Sequence, residues 1–300
     1  VTLDADLARE WLRVERSLTG DLSRVARNLV ALRARGINVN TWLMGADPGY
    51  LQLVAQLGTE ARRFGDTAAT EIAREAARRA GLSQSQVRAY LKQIGAADYR
   101  SVTPRSDGFV DRQAAYRFLL DSGVPADALA GMRKAMLEAA QAGKSPAEVV
   151  AAAKAGMARG LNRAMLTSRD QTARAAREAA DLEMQASGQV WQKQRIVQRD
   201  GACAACLAKD GEVIPVEEPS FDHAAGKCQW KPILVGQNAL RRSAETWLRT
   251  QPAEYQRDVL GNARYEAFRD GKLSLASVGQ VTQHPTWGRG LRIAPMAQGV

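Results

Sequence analysis

Four residues with soft or borderline ligand atoms fall within 26 positions of this 300-residue chain: Cys203, Cys206, His223 and Cys228. They are all three of its cysteines and one of its two histidines. The layout is C-x2-C-x16-H-x4-C, inside "RDGACAACLAKDGEVIPVEEPSFDHAAGKCQW" at 199–230. A C-x2-C turn lets two thiolates face one ion, and a distant His/Cys pair closes a tetrahedron, with Zn–S near ~2.3 Å and Zn–N near ~2.0–2.1 Å. Four protein donors saturate zinc, so the expected role is structural. The ion would add folding energy to a segment with little core of its own. Two other readings stay open. C-x2-C also serves redox chemistry, although no thioredoxin-like βαβ pattern surrounds it. The cysteines can also pack as small hydrophobes or stay unmetallated. Asp222, beside His223, either replaces one ligand or hydrogen-bonds the imidazole from outside.

No second constellation competes. His284, in "TQHPTWGRG", reads as a loop histidine without chemistry. There is no Ser/His/Asp arrangement, no G-x-x-x-x-G-K-[ST] and no G-x-G-x-x-G. General-base work would fall to Glu212, Glu217 or Glu218, and acidic residues in a turn read as solvated. The expectation is a protein that is not an enzyme.

The elements that must position these residues are mostly helical. Hydrophobic content is 45% and charged content 25%, ordinary for a globular chain, while only 6% is aromatic. Ala and Arg are abundant, and both favour helix. The net charge of +10 attracts polyanions. It is spread out rather than gathered in a tail, and a solvated surface of Arg/Glu helices explains it equally well. No run of 18 apolar residues predicts a membrane span. The N-terminus lacks the plan of a signal peptide. Three cysteines do not make a secreted disulfide scaffold, so a reducing compartment is expected.

Apolar residues at three- and four-residue steps predict a helix over 3–35, with Gly20 a point of division and Gly36 a stop. Nine apolar residues form one stripe, which must bury against a partner helix or fold back on 51–94. "ADPGY" at 46–50 reads as a turn, 51–80 as helix, and a short helix capped by Ser83 follows. Residues 98–110 read as a linker. Helix resumes to about 122. Gly123, Pro125 and Gly143 punctuate the next stretch, and Ser145, Pro146 and Glu148 make a helix start. An Ala-rich helix follows to about 187, with a break near Gly160. Short β-branched runs make 189–236 a small β-rich segment, with a turn at Asp210–Gly211. Helices return at 238–250, 252–260 and 262–270. The predicted organisation is therefore mainly α: a helical region 1–97, the linker 98–110, an Ala-rich helical region 111–188, a β-rich zinc-knuckle insert 189–236, and a C-terminal helical region and tail 237–300.

The order of Ala-rich helix, "VWQKQRIVQRDGACAACLAKDGEVIPV", "HAAGKCQWKPIL" and "AETWLRTQPAEYQRDVLGNARYEAFRDGKLSLASV" resembles the phage head morphogenesis family, the Mu F-like minor head proteins associated with the portal vertex of tailed phages. The resemblance covers about 120–280. It rests on Trp191, Asp200, Cys203, Cys206, Asp210, Gly211, His223 and Cys228, then on Trp247, Leu248, Gln256, Leu260, Gly261 and Gly271. The chain departs from the pattern at "SRDQT" (168–172), where Arg169 alone carries over, at Ala224 in place of Pro, and at Trp230 in place of a second cysteine. The resemblance implies a minor capsid protein present in several copies in the virion, in the head interior or at the portal vertex. It would pass through the host cytoplasm during assembly. Portal or major capsid protein would be its partner, with contact to packaged DNA left open. The competing reading is a zinc-dependent nucleic-acid-binding protein.

Overall fold

The computed structural model describes residues 2–39, 47–98, 100, 112–223, 226, 228–240, 243–284 and 288–296. The linker expected over 98–110 lies almost wholly outside the described residues. The chain is mainly helical with a small sheet. It divides into two compact units, each assembled from two stretches: Val1–Glu75 with Val110–Gln171, and Ala76–Phe109 with Thr172–Val300. These cuts fall at other places than the region boundaries expected from composition. The predicted boundaries followed changes of local pattern, whereas the units follow contact. Among the described residues, no helix is long and apolar enough to cross a membrane.

The first unit is built on α1 (Leu3–Ala34), which runs unbroken through Gly20. Leu7, Trp11, Val14, Leu18, Leu22, Val25 and Leu29 are all buried at helical spacing. The apolar stripe is therefore core of its own unit, not a surface left for a partner. α2 (Pro48–Gln93) is a single helix where a turn and two helices were expected. Asp47 starts it by accepting the Tyr50 N–H at 2.8 Å, so "ADPGY" is a helix start. Then come α3 (Arg112–Asp121), α4 (Val124–Gln141) and α5 (Pro146–Ala186). Gly123, at φ 88, separates α3 from α4. The start of α5 is the capping box expected from Ser145 and Glu148. The Ser145 backbone N–H donates to Glu148 at 2.8 Å, and the Glu148 N–H returns to the Ser145 hydroxyl. The backbone N–H of Ser145 foremost, and then its hydroxyl, which also donates to the carboxylate at 2.8 Å, hold the Glu148 carboxyl down at about 2.

One core joins these helices: Leu53, Leu57, Phe64 and Ile72 of α2, Leu119 of α3, Met132 and Met136 of α4, and Val149 and Met157 of α5, with the α1 stripe. Trp11 meets Phe64 edge to face at 5.0 Å. The tightest point is α4 on α5. A Cβ on Gly156 would lie 2.2 Å from the Gly131 carbonyl oxygen, so the two backbones touch.

The second unit adds β1 (Val190–Ile196), the short α6 (Ala204–Ala208), β2 (Val213–Pro215) and β3 (Gln229–Leu234) to the ends of α2 and α5. The sheet is antiparallel in the order β2-β1-β3. α7 (Ala244–Arg249), α8 (Ala253–Leu260) and α9 (Asn262–Arg269) are close to the predicted helices. After a 3-10 turn at Leu275–Val278, the expected tail is instead a hairpin of β4 (Gly279–His284) and β5 (Gly288–Ile293). Its strand signal is slight: Val281 opposite Leu291, with Ile293 at the end of β5.

Two glycines in helices make opposite predictions. At Gly20 an added Cβ meets nothing within 4 Å. Gly20→Ala should stabilise the chain by about 0.5–1 kcal/mol. Gly156→Ala forces α4 from α5 and should cost about 1–3 kcal/mol. Thermal unfolding followed by circular dichroism measures both.

Candidate metal centre

The C-x2-C turn is the start of α6. Cys203 is the extended residue before the helix, and Cys206 lies on its first turn. Gly201, at φ 70, supplies the bend that leads in. On the other side, Asp222 and His223 open a loop that closes at Cys228, just before β3. The Asp222 carboxylate holds that loop at both ends, accepting the backbone N–H of His223 at 2.9 Å and of Cys228 at 3.1 Å. Gly226 packs hard against it: a Cβ there would lie 2.1 Å from the carboxylate.

The four sequence-predicted residues come together around a cavity of about 190 Å³. Ligand atoms of Cys203, Cys206 and His223 lie within 4.8 Å of one another, and so do those of Cys206, Asp222 and Cys228. Cys206 belongs to both groups. Asp222, weighed as a substitute ligand or a brace for the imidazole, is a fifth donor beside the two cysteines; its carboxylate stands 3.7 Å from the Cys206 sulfur. This cluster could hold a metal ion.

The thiols are polarised toward that use. A hydrogen bond from Cys206 lowers the Cys203 thiol to about 4, against burial and with help from His223. The same donation, to Cys203 and to Cys228, pushes Cys206 up. Cys228 is lowered, chiefly by its bond from Cys206, with Arg195 assisting. Two thiolate-like sulfurs thus flank one proton-bearing sulfur. A divalent cation at this point would displace that proton, since thiolate is the ligating form.

The supports of this loop were not visible in the sequence. Lys193 and Arg195, on β1, are fully buried. The Arg195 guanidinium lies over the tilted pair of rings of Phe221 and Trp230, 4.7 and 4.8 Å from their centroids. It donates to the Phe221 carbonyl and stands 3.5 Å from Asp222. Lys193 meets Asp181 of α5 at 2.6 Å. Asp181 also accepts the Ser220 N–H at 2.8 Å and its hydroxyl at 2.6 Å. The apolar residues of this stretch are Val190, Trp191, Ile196 and Val197, of which Val190 and Val197 are buried. A bulge between Val190 and Gln192 changes the register, and Trp191 is 48% exposed.

The remaining residues of the resemblance take structural places. The Asp210 side chain is covered and accepts the Val197 N–H at 3.1 Å and Arg199 Nε at 3.0 Å, while Gly211 turns at φ 91. Leu248 and Leu260 are buried in the same core as Cys206 and Cys228, with Trp247 packed against it. Asp200 lines the metal cavity. Arg169 lies in the first unit, where it pairs with Asp4. Of the carboxylates weighed for catalysis, Glu212 pairs with Lys209 and Glu218 with Arg289. No protein-family model, curated protein or solved structure matches the chain.

Two outcomes follow from this geometry. An ordinary thiol loses thiolate tenfold for each pH unit below its pKa. In chelator-treated, reduced protein, iodoacetamide should modify Cys203 at rates within about twofold between about pH 8 and about pH 5, because its thiolate persists to near 4. Cys206 should stay unmodified over that range; mass spectrometry of the peptides reads both. Asp181→Asn strands the Lys193 ammonium in the interior and should cost about 3–5 kcal/mol in urea unfolding. The double variant Asp181→Leu with Lys193→Met should recover most of that loss.

Proposed function

We propose that this chain is a structural minor head protein of a tailed phage or phage-like particle, acting in head assembly at the portal vertex and not in catalysis. One observation carries the reading. The segments that bear the resemblance lie on both sides of residue 236, yet Cys206, Cys228, Leu248 and Leu260 share one buried core. The metal-site residues and the C-terminal helices then form one module, rather than a knuckle inserted before a separate helical region.

The ion we assign to Cys203, Cys206, His223 and Cys228 is zinc, in a structural role. Three sulfurs and an imidazole are soft or borderline donors that select zinc over magnesium or calcium. Bound there, zinc would crosslink the start of α6 to the loop before β3. The module would present a rigid face to portal or major capsid protein, in several copies per particle. The +10 charge leaves room for contact with packaged DNA.

Purified protein should carry about one zinc per chain by elemental analysis. Cys206→Ser should lose the zinc and the hydrogen-exchange protection of 190–293 while 3–34 stays protected. Co-expressed with portal and capsid proteins of its own genome, the tagged chain should co-purify with one of them. Well under half an equivalent of zinc with reduced thiols would remove the metal assignment. A chain that ignores both proteins but binds duplex DNA alone, with affinity falling steeply with salt, would replace the head-protein reading with a zinc-dependent nucleic-acid binder.

A further inference from the structure

The two halves of the metal centre are supported in different ways. Cys203 and Cys206 belong to the start of α6, where the backbone bonds itself: the Leu207 N–H donates to the Cys203 carbonyl and the Lys209 N–H to the Cys206 carbonyl, both at 3.0 Å. The start of β4 packs closely on that helix, since a Cβ at Gly279 would lie 2.9 Å from the Ala205 carbonyl oxygen. His223 and Cys228 lie outside helix and strand. They share one carboxylate. Asp222 Oδ1 accepts the His223 N–H at 2.9 Å, and Oδ2 accepts the Cys228 N–H at 3.1 Å.

A carboxylate oxygen of Asp222 lies within 4.8 Å of the Cys206 and Cys228 sulfurs, near enough for a ligand. Its surroundings argue for another task. The side chain has no exposed surface, and Oδ1 also stands 3.5 Å from Arg195 Nη1. Both oxygens are therefore already engaged. Arg195 is fully buried, and its second carboxylate, Glu212, comes only to 3.8 Å. Drawing Asp222 to an ion would leave that guanidinium less well paired in the interior, which is costly. Three sulfurs and an imidazole already complete the coordination of zinc.

We propose that Asp222 is a positioning residue of the metal centre: it holds His223 and Cys228 through their backbone N–H groups and is not itself a ligand. This rests on the zinc reading of Cys203, Cys206, His223 and Cys228. Ligand affinity then depends on a residue that never touches the ion. Gly226 keeps the room for it. A Cβ there would lie 2.1 Å from the carboxylate, so alanine would push Asp222 off its two N–H groups with all four donors unchanged.

The test uses the full chain, reduced, stripped with a chelator and reloaded with zinc. Competition with a chromophoric chelator reads affinity. Iodoacetamide at saturating zinc, followed by peptide mass spectrometry, reads the shielding of each cysteine. The wild type should bind about one zinc and shield all three. Asp222→Asn should weaken zinc binding about ten- to hundredfold. It should open Cys228 to alkylation while Cys203 and Cys206 stay shielded. Gly226→Ala should act in the same direction, and it decides the matter if circular dichroism shows that Asp222→Asn does not fold. Asp181→Asn, which breaks the other buried pair of this unit, is the comparison for lost stability alone: any exposure there should reach the three cysteines together. X-ray absorption at the zinc edge of the wild type should show three sulfurs and one imidazole. An oxygen donor in place of the imidazole, or as a fifth neighbour, would make Asp222 a ligand and overturn the proposal. So would unchanged affinity in the folded variants, or equal exposure of all three cysteines in them. A wild-type chain that binds no zinc removes the metal reading and this inference with it; one that binds zinc no better than the folded variants removes the inference alone.

Discussion

Two cations inside the central strand set the terms for the second unit. Lys193 and Arg195 have no exposed surface, and an unpaired charge in that position would cost several kcal/mol. Each must therefore bring a carboxylate with it. Asp181 comes from α5 and answers Lys193; Asp222 comes from the ligand loop and stands beside Arg195. The same two carboxylates then do further work. Asp181 takes both hydrogen-bonding groups of Ser220, and Asp222 takes the backbone at both ends of the His223–Cys228 loop. Strand, helix and loop are fixed to one another by the need to keep two charges paired. Arg195 adds shape to charge, since it packs over both the Phe221 and the Trp230 rings.

This arrangement brings the residues of the Cys/His cluster together. Cys206 and Cys228 are buried and share a core with α7 to α9 and the hairpin. Packing holds them, and Asp222 accepts the Cys228 N–H. A bound ion would add the free energy of its bonds to the stability of this module.

The helices and the cluster were legible because their signals are local. The stripe from Leu7 to Leu29, the Ser145–Glu148 box and the C-x2-C spacing each depend on residues within a few turns of chain. What the sequence hid depends on register and on distant partners. Gly20 and Gly160 looked like breaks, yet the helices pass through them, and at Gly160 a Cβ would meet Ala128 and Trp11. Glycine there answers a neighbour, not a turn. Lys193 and Arg195 alternate along β1 as a solvated face would, and only the bulge and the partners from Asp181 and Asp222 place them inside. The final hairpin escaped because β4 and β5 offer glycine, glutamine and threonine with a single buried leucine.

The division into two units has a consequence for how the chain is made. Each unit is stitched from two separated stretches, so neither is complete when its first stretch leaves the ribosome. Residues 1–75 must wait, with the α1 stripe covered only in part by α2, until the stretch ending at Gln171 has been synthesised. Residues 76–109 must wait longer still for the strands and cysteines that follow 172. Contacts so far apart in sequence are slow to close. During synthesis the exposed leucines of α1 are an opening for chaperones or for misassociation. It also follows that cutting the gene near 97, 110 or 188, where the local pattern changes, would release fragments missing half of a core.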